Sequence, residues 1–313
     1  MSSPSHTPVN PLPDQDSSPV PARKHRLPAA LRAMRPKQWV KNVLVFAAPL
    51  ASGQLLDLEV LVRCALAFVA FCLISATVYL INDARDVEED RLHPKKRHRP
   101  IAAGELTIPA ALVLAAITGV IGFAIGFVVA IPLGITLAVY LGLQIIYSFF
   151  LKHLPVIDLA MVASGFLLRA IAGGVAADIE LSQWFLLVAS FGSLFMVAGK
   201  RYSEMVALGA EAGTRRSLER YSSSYLRFAW MTAAAMVLMS YCLWAFENRD
   251  KGPLDVPWTA LSIAPLTLGL LQYALEVDRG EAGEPEDVVM ADRVLQVLGL
   301  IWLVLVAVAV FVP

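Results

Sequence analysis

The sequence has little of what most enzymes use to move protons or hold soft metals. Among 313 residues there are three cysteines and five histidines. Cys64, Cys72 and Cys242 all lie in apolar stretches, with no CxxC pair and no histidine beside them. That excludes a disulfide framework and a thiolate metal site, and leaves them as small packing residues. His93, His98 and His153 fall in polar surroundings and read as surface residues, so a histidine general base is not expected. Net charge is missing as well: 26 basic and 26 acidic side chains cancel. Bulk electrostatics therefore indicates no macromolecular polyanion, and nucleic acid is not an expected partner.

What the chain has in excess is apolar residues, at 57%, with a mean hydropathy of +0.62. They fall in blocks near the length needed to cross a bilayer, so the expected fold class is an all-α integral membrane protein. Nine transmembrane helices are predicted, over 27–51, 58–82, 107–129, 131–150, 156–176, 183–203, 224–247, 255–275 and 291–312. The first of these opens on a basic, interfacial half. Residues 1–26, rich in Ser, Pro and Asp, are expected to form a disordered cytoplasmic tail with no signal peptide, ahead of one catalytic domain over 27–313. Lysine and arginine crowd one side of this layout: the N-terminal region carries Arg23, Lys24, Arg26, Arg32, Arg35, Lys37 and Lys41, and further groups fill the loops near 83–106 and 204–223. Arg63, Arg249 and Lys251 stand on the other side. The bias puts the N-terminus in the cytoplasm and the C-terminus outside.

The densest charge lies where the second span ends, in NDARDVEEDRLHPKKRHRP. On a continuing helix Asp83 and Asp90 fall within about 20° of one another and Asp86 about 60° away, so three carboxylates share a face while Glu88 and Glu89 point to solvent. Like charges on one face repel. A hard cation held by Asp83, Asp86 and Asp90, with Asn82 as a neutral oxygen donor, relieves that repulsion, and Mg²⁺ commonly bridges such carboxylates to substrate phosphates. Lys96 and Arg99 follow at once, suited to the remaining phosphate oxygens. Lipid anchoring explains the bases alone, but not three aligned acids beside them.

These residues fit NDxxDxxxD followed by KxxRP, and the pattern resembles the UbiA superfamily of intramembrane prenyltransferases. The resemblance continues through Tyr147, Lys152, Asp158 and Arg169 and extends over almost the whole chain beyond the tail; the family's nine-helix bundle agrees with the count above. One departure stands out. The family's second acidic motif, DxxxD on the sixth helix, is replaced here by KRYSE, with Lys200, Arg201, Tyr202 and Glu204. With the opening RPKQWVKN, this is similar to one branch of the superfamily, the decaprenyl-phosphate phosphoribosyltransferases. That likeness implies phosphoribosyl pyrophosphate (PRPP) as donor, a polyprenyl (decaprenyl) phosphate as acceptor, Mg²⁺ as cofactor, and an actinobacterial plasma membrane with a cytoplasmic active site. It leaves a homo-oligomer open.

On this reading Asp83, Asp86, Asp90 and Lys200 are the catalytic candidates. Lys96 and Arg99 would bind diphosphate, while Lys37, Lys41, Asn42, Lys200, Arg201 and Tyr202 share the ribose and 5-phosphate in a division the sequence leaves open. Arg169 either meets the lipid phosphate or pairs with a carboxylate inside the membrane. Asp158 either binds substrate or serves the helix dipole, and Glu204 either binds substrate or steadies Lys200. Three rival readings are prenyl transfer to an aromatic acceptor, cation transport, and a non-catalytic scaffold. Transport is disfavoured because the charges gather at helix ends rather than at mid-membrane.

Overall fold

The structure, a computed structural model, describes residues 27–152, 154–208, 221–250, 253–283 and 285–312. The tail expected over 1–26, His153, and most of the loop after the sixth predicted span lie outside the described residues. Among the described residues every regular element is helical.

The first crossing is broken into three pieces: α1 (Ala29–Ala33), a 3₁₀ segment (Pro36–Phe46) and α2 (Ala47–Ala51). Prolines explain the breaks. Pro28 stands at the N-cap of α1 and Pro36 opens the 3₁₀ segment; Pro49 lies in the second residue pair of α2, and none of the three can donate a helical N–H. Arg35, between α1 and the 3₁₀ segment, takes φ 54, a left-handed conformation that costs energy for a residue with a Cβ. The pieces still cross the full bundle, because 3₁₀ geometry rises about 2.0 Å per residue. Arg35 meets Asp83 at one end, while Gly53 packs against Val310 at the other.

Among the described residues eight further crossings follow, long and apolar enough to span a membrane. They are α3 (Leu58–Arg85), α5 (Ile108–Val129), α6 (Ile131–Ile146) with a π-turn (Tyr147–Leu151), α7 (Pro155–Ala177), α8 (Gln183–Leu208), α9 (Ser223–Glu247), the pair α10 (Trp258–Leu261) and α11 (Ile263–Arg279), and α13 (Arg293–Phe311). Short helices α4 (Val87–Leu92) and α12 (Pro285–Ala291) lie outside the crossings. Among the described residues these eight, with the segmented first stretch, are roughly consistent with the nine predicted spans.

The interior divides in two. One core joins α3, α6, α7 and the 3₁₀ segment around Phe71, Ile74, Leu133 and Leu137. The other joins α7, α8, α9 and α11 around Phe195, Tyr202, Trp230 and Tyr273. A smaller third core (Ala33, Leu80, Val87, Ile101, Ala111) lies under the charged end. It folds the 99–106 loop back onto α3: Glu105 and Leu106 N–H groups both bond the Pro100 carbonyl, and Gly104 supplies the φ of +77 that the turn needs.

Candidate active site

Asp83 sits on the last turn of α3 and Asp90 on α4, and both are buried, at 3% and 2% exposure. The helix does not run unbroken between them. It bends at Asp86 (φ −90, ψ 17), although the Asp90 N–H still bonds the Asp86 carbonyl at 2.8 Å and the Asp86 N–H bonds that of Asn82 at 2.9 Å. The face predicted for a straight helix is thus partly kept: Asp83 and Asp90 turn inward, Asp86 and Asn82 stay half-buried, and Glu88 and Glu89 face solvent.

Buried carboxylates need partners, and here the partners are all cations. Arg99 Nη1 lies between the two acids, 3.1 Å from Asp83 Oδ1 and 2.6 Å from Asp90 Oδ2. Arg35 Nη2 reaches the same Asp83 oxygen at 2.5 Å, with its guanidinium 4.9 Å above the Tyr79 ring. Lys96 Nζ stands 3.8 Å from Asp90 Oδ1. Arg35, Arg99 and Lys96 side chains keep 27%, 28% and 47% exposure, so their cations lie between the buried acids and solvent. Among the described residues no three Asp, Glu, His or Cys side chains converge on one point. A divalent ion here would take two or three carboxylates and draw its other ligands from substrate and water. Two buried hard-oxygen donors that already accept a shared cation suit that arrangement.

Arg35 belongs to the opening RPKQWVKN stretch, where the positive-inside pattern accounts for it as one more anchoring charge. Its left-handed φ and its bond to Asp83 depend on long-range packing that no local signal carries. Lys37, close by on the 3₁₀ segment, is exposed, and Lys41 is half-buried.

A second charged cluster forms around Asp158, in the first turn of α7 and 3% exposed. It accepts from Tyr147 at 2.6 Å, from Arg201 at 3.1 Å and from Tyr221 at 3.4 Å. Burial, reinforced by the Asp158 charge, pushes the Tyr221 phenol well above its ordinary pKa, so it stays a donor. The π-turn aligns this corner: the Lys152 N–H bonds the Tyr147 carbonyl five residues back, at 3.0 Å. Such turns recur at functional sites. Arg85, at the end of α3, bonds the Ser148 carbonyl at 2.7 Å and links the two clusters.

The KRYSE stretch is divided among several surroundings. Lys200 is half-buried and Arg201 turns to Asp158. Tyr202 points into the second core against Trp230, its hydroxyl held by Asp278 at 3.2 Å and Arg227 at 2.5 Å. Glu204 lines an acidic hollow of about 820 Å³ with Glu276, Arg279 and Asp292. Asn42 and Arg169 meet at depth, where Arg169 Nε donates to Asn42 Oδ1 at 2.6 Å. At the end away from the acids, an apolar cavity of about 670 Å³ opens between α2, α7, α8, α9 and α13, lined by Leu44, Phe166, Ala170, Phe185, Trp244 and Val306.

Residues 43–292 match the UbiA prenyltransferase family. The chain belongs to that family. The UbiA fold is equally evident in solved structures: a UbiA homolog from Archaeoglobus fulgidus bound to DMAPP and Mg²⁺ superposes with a TM-score of 0.66 at 17% identity, covering 90% of this chain and 99% of that one. Within the UbiA family, this chain is 50% identical over 288 residues to the decaprenyl-phosphate phosphoribosyltransferase of Corynebacterium glutamicum, covering 90% of this chain and 86% of the relative. The enzyme of the same name from Mycolicibacterium smegmatis is 49% identical over 299 residues, covering 92% and 94%.

Proposed function

We propose that this protein transfers the 5-phosphoribosyl group of PRPP to a polyprenyl phosphate, decaprenyl phosphate by likeness to its relatives, and releases pyrophosphate. The observation that carries the reading is the buried pair Asp83 and Asp90, ringed by Arg99, Arg35 and Lys96 at the end of a membrane bundle. Such a set accepts a metal and a polyanion together. It stands in a chain half identical to decaprenyl-phosphate phosphoribosyltransferases over nearly its whole length.

The displacement is simple in outline. The C1–O bond to the diphosphate breaks and its electron pair leaves on pyrophosphate; an oxygen of the lipid phosphate forms the new C1–O bond from the opposite face, inverting C1. The acceptor is already ionised near neutral pH, so positioning matters more than proton removal. Asp83 and Asp90, with Asp86 and Asn82 beside them, would hold Mg²⁺, which would supply positive charge to offset that developing on the leaving group. Arg99 and Lys96 would engage the diphosphate, Arg35, Lys37 and Lys41 the rest of the donor, and Lys200 and Lys152 the second phosphate region near Asp158, whose carboxylate holds Arg201. The apolar cavity has the volume of a pocket for a drug-sized molecule, so it would take part of a long polyprenyl chain and leave the rest in the bilayer. The charged end would face the cytoplasm.

Family membership favours a second reading, prenyl transfer from a prenyl diphosphate to an aromatic acceptor. The replacement of the second acidic motif by Lys200 and Arg201 argues against it. The deciding assay gives purified protein PRPP labelled in the ribose, polyprenyl phosphate and Mg²⁺, with EDTA and Asp86→Ala as controls. Metal-dependent label in the lipid, lost in the variant, is expected. No lipid label, with transfer instead from a prenyl diphosphate to an aromatic acid, would replace this reading with the second.

A further inference from the structure

Arg169 is a buried cation, 6% exposed, in the middle of α7. Among the described residues no carboxylate pairs with it. Its partners are neutral: Asn42 Oδ1 at 2.6 Å, the Gly165 carbonyl at 2.6 Å, Tyr140 OH at 2.9 Å and Ser75 Oγ at 3.3 Å. The rings of Tyr140, Phe71 and Phe166 stand 4.8, 5.7 and 5.8 Å from its guanidinium. A guanidinium has five N–H donors, and these bonds use most of them. A phosphate gripped in bidentate fashion needs two parallel free ones, so the geometry speaks against Arg169 as a ligand of the lipid phosphate.

Three of the four partners come from other elements: Ser75 from α3, Tyr140 from α6, and Asn42 from the 3₁₀ segment of the first crossing. Asn42 is 0% exposed, and its amide nitrogen donates to Cys72 Sγ at 3.2 Å, which turns the oxygen toward the guanidinium. One turn further along α7, Gly173 lets the 3₁₀ backbone come so close that a Cβ would lie 1.7 Å from the Val45 carbonyl oxygen. Arg35, at the N-cap of the same segment, meets Asp83 at the charged end. On α3, Ser75, Tyr79 and Asp83 follow one another at intervals of four, a stripe about 12 Å long. It runs from Arg169 at the bottom, past the Tyr79 ring under Arg35, to the acid at the top.

We propose that Arg169 is a positioning residue. Through Asn42 it seats the Pro36–Phe46 segment against α7 and so sets the depth at which Arg35, at its N-cap, faces the donor. A segment with neither the hydrogen bonds of a regular α-helix nor a straight path needs such a side-chain tie, and a rigid cation with several neutral acceptors supplies it without a second buried charge. The inference rests on the PRPP reading for its kinetic arm only.

The test measures KM for PRPP and for polyprenyl phosphate separately, with thermal unfolding in detergent, for Asn42→Ala, Arg169→Met, the double variant and Asn42→Asp. Asn42→Ala and Arg169→Met are each expected to raise the PRPP KM about tenfold. The double variant should be no worse than the worse single one, as for two residues acting through one contact. Asn42→Asp keeps an oxygen for the guanidinium and should recover most of the loss. Three results would overturn the proposal: a raised acceptor KM in Arg169→Met without one in Asn42→Ala, additive effects in the double variant, or an Asn42→Asp as impaired as Asn42→Ala. Should Arg169→Met not fold, the comparison of the two Asn42 variants decides alone. If the wild type transfers nothing from PRPP, the donor reading fails by itself; coupling of the two substitutions in the melting temperature then supports the tie, and additivity overturns it.

Discussion

The acid pair Asp83–Asp90 and the lone acid Asp158 lie at the same end of the bundle, are equally buried, and are held in opposite ways. Asp158 receives two phenol hydroxyls and one guanidinium, from three different elements. Neutral hydroxyls add no charge, so among the described residues this carboxylate is balanced by Arg201 and fixed in direction. Among the described residues Asp83 and Asp90 receive only cations, one of them shared, on long side chains that reach water. Their two charges are outnumbered by three cations, on groups that can leave for a phosphate. Equal burial therefore conceals a difference in kind: one cluster is locked and the other exchangeable.

Substitution should separate the two. Asp90→Ala is expected to lower kcat about 100-fold or more, the scale of losing a charge-stabilising group at a reacting centre, with little change in melting temperature because Arg99 and Lys96 can turn to solvent. Asp158→Asn should do the reverse. It strands Arg201 and costs about 2 kcal/mol, less than for a fully sealed pair because Arg201 retains some contact with water, read as a lower melting temperature with a smaller fall in kcat. Equal kinetic losses would erase the distinction.

Arg99→Gln gives a finer probe. Arg99 Nη1 and a divalent ion compete for the same two carboxylate oxygens. Mn²⁺ measured by electron paramagnetic resonance, without diphosphate, should bind about fivefold more tightly to the variant, while the gain in Mn²⁺ affinity on adding pyrophosphate shrinks. Unchanged Mn²⁺ binding would mean that Arg99 is as locked as Arg201.

The smallest effect belongs to a carboxylate outside both clusters. Asp292 caps α13, accepting from Gln272 at 2.8 Å and from the Val294 and Leu295 N–H groups at 2.7 and 3.2 Å. The Gln272 bond first, then the two backbone bonds, hold its pKa below the ordinary value. A depressed carboxylate contributes stability that is present above its unfolded pKa and is lost as pH falls through the folded one. The slight melting-temperature advantage of wild type over Asp292→Ala should hold from neutral pH down to the ordinary carboxylate range and shrink below it.

Much of this architecture was legible in residue order. Eight spans announce themselves by length and hydropathy, and Asp83 and Asp90 by their spacing. The broken first crossing is harder to read, because RPKQWVKNVLVF is apolar enough for a helix and only Pro28, Pro36 and Pro49 hint otherwise. Asp86 shows the limit of helical periodicity, which assumes a straight axis where the chain bends. Tyr202 and Arg201 are neighbours in sequence, yet one faces the second core and the other Asp158, since adjacent helical residues point about 100° apart. Arg35 is hidden for a different reason: its role depends on a backbone conformation that charge patterning does not register.

The all-neutral surroundings of Arg169 also bear on how the chain is made. Asn42, Ser75, Tyr140 and Gly165 all precede Arg169 in sequence. Chains are synthesised from the N-terminus, so each acceptor reaches the bilayer before the guanidinium that needs it. A charge that would be costly alone among lipid tails thus arrives at a receptor already in place, and no later helix is required to rescue it.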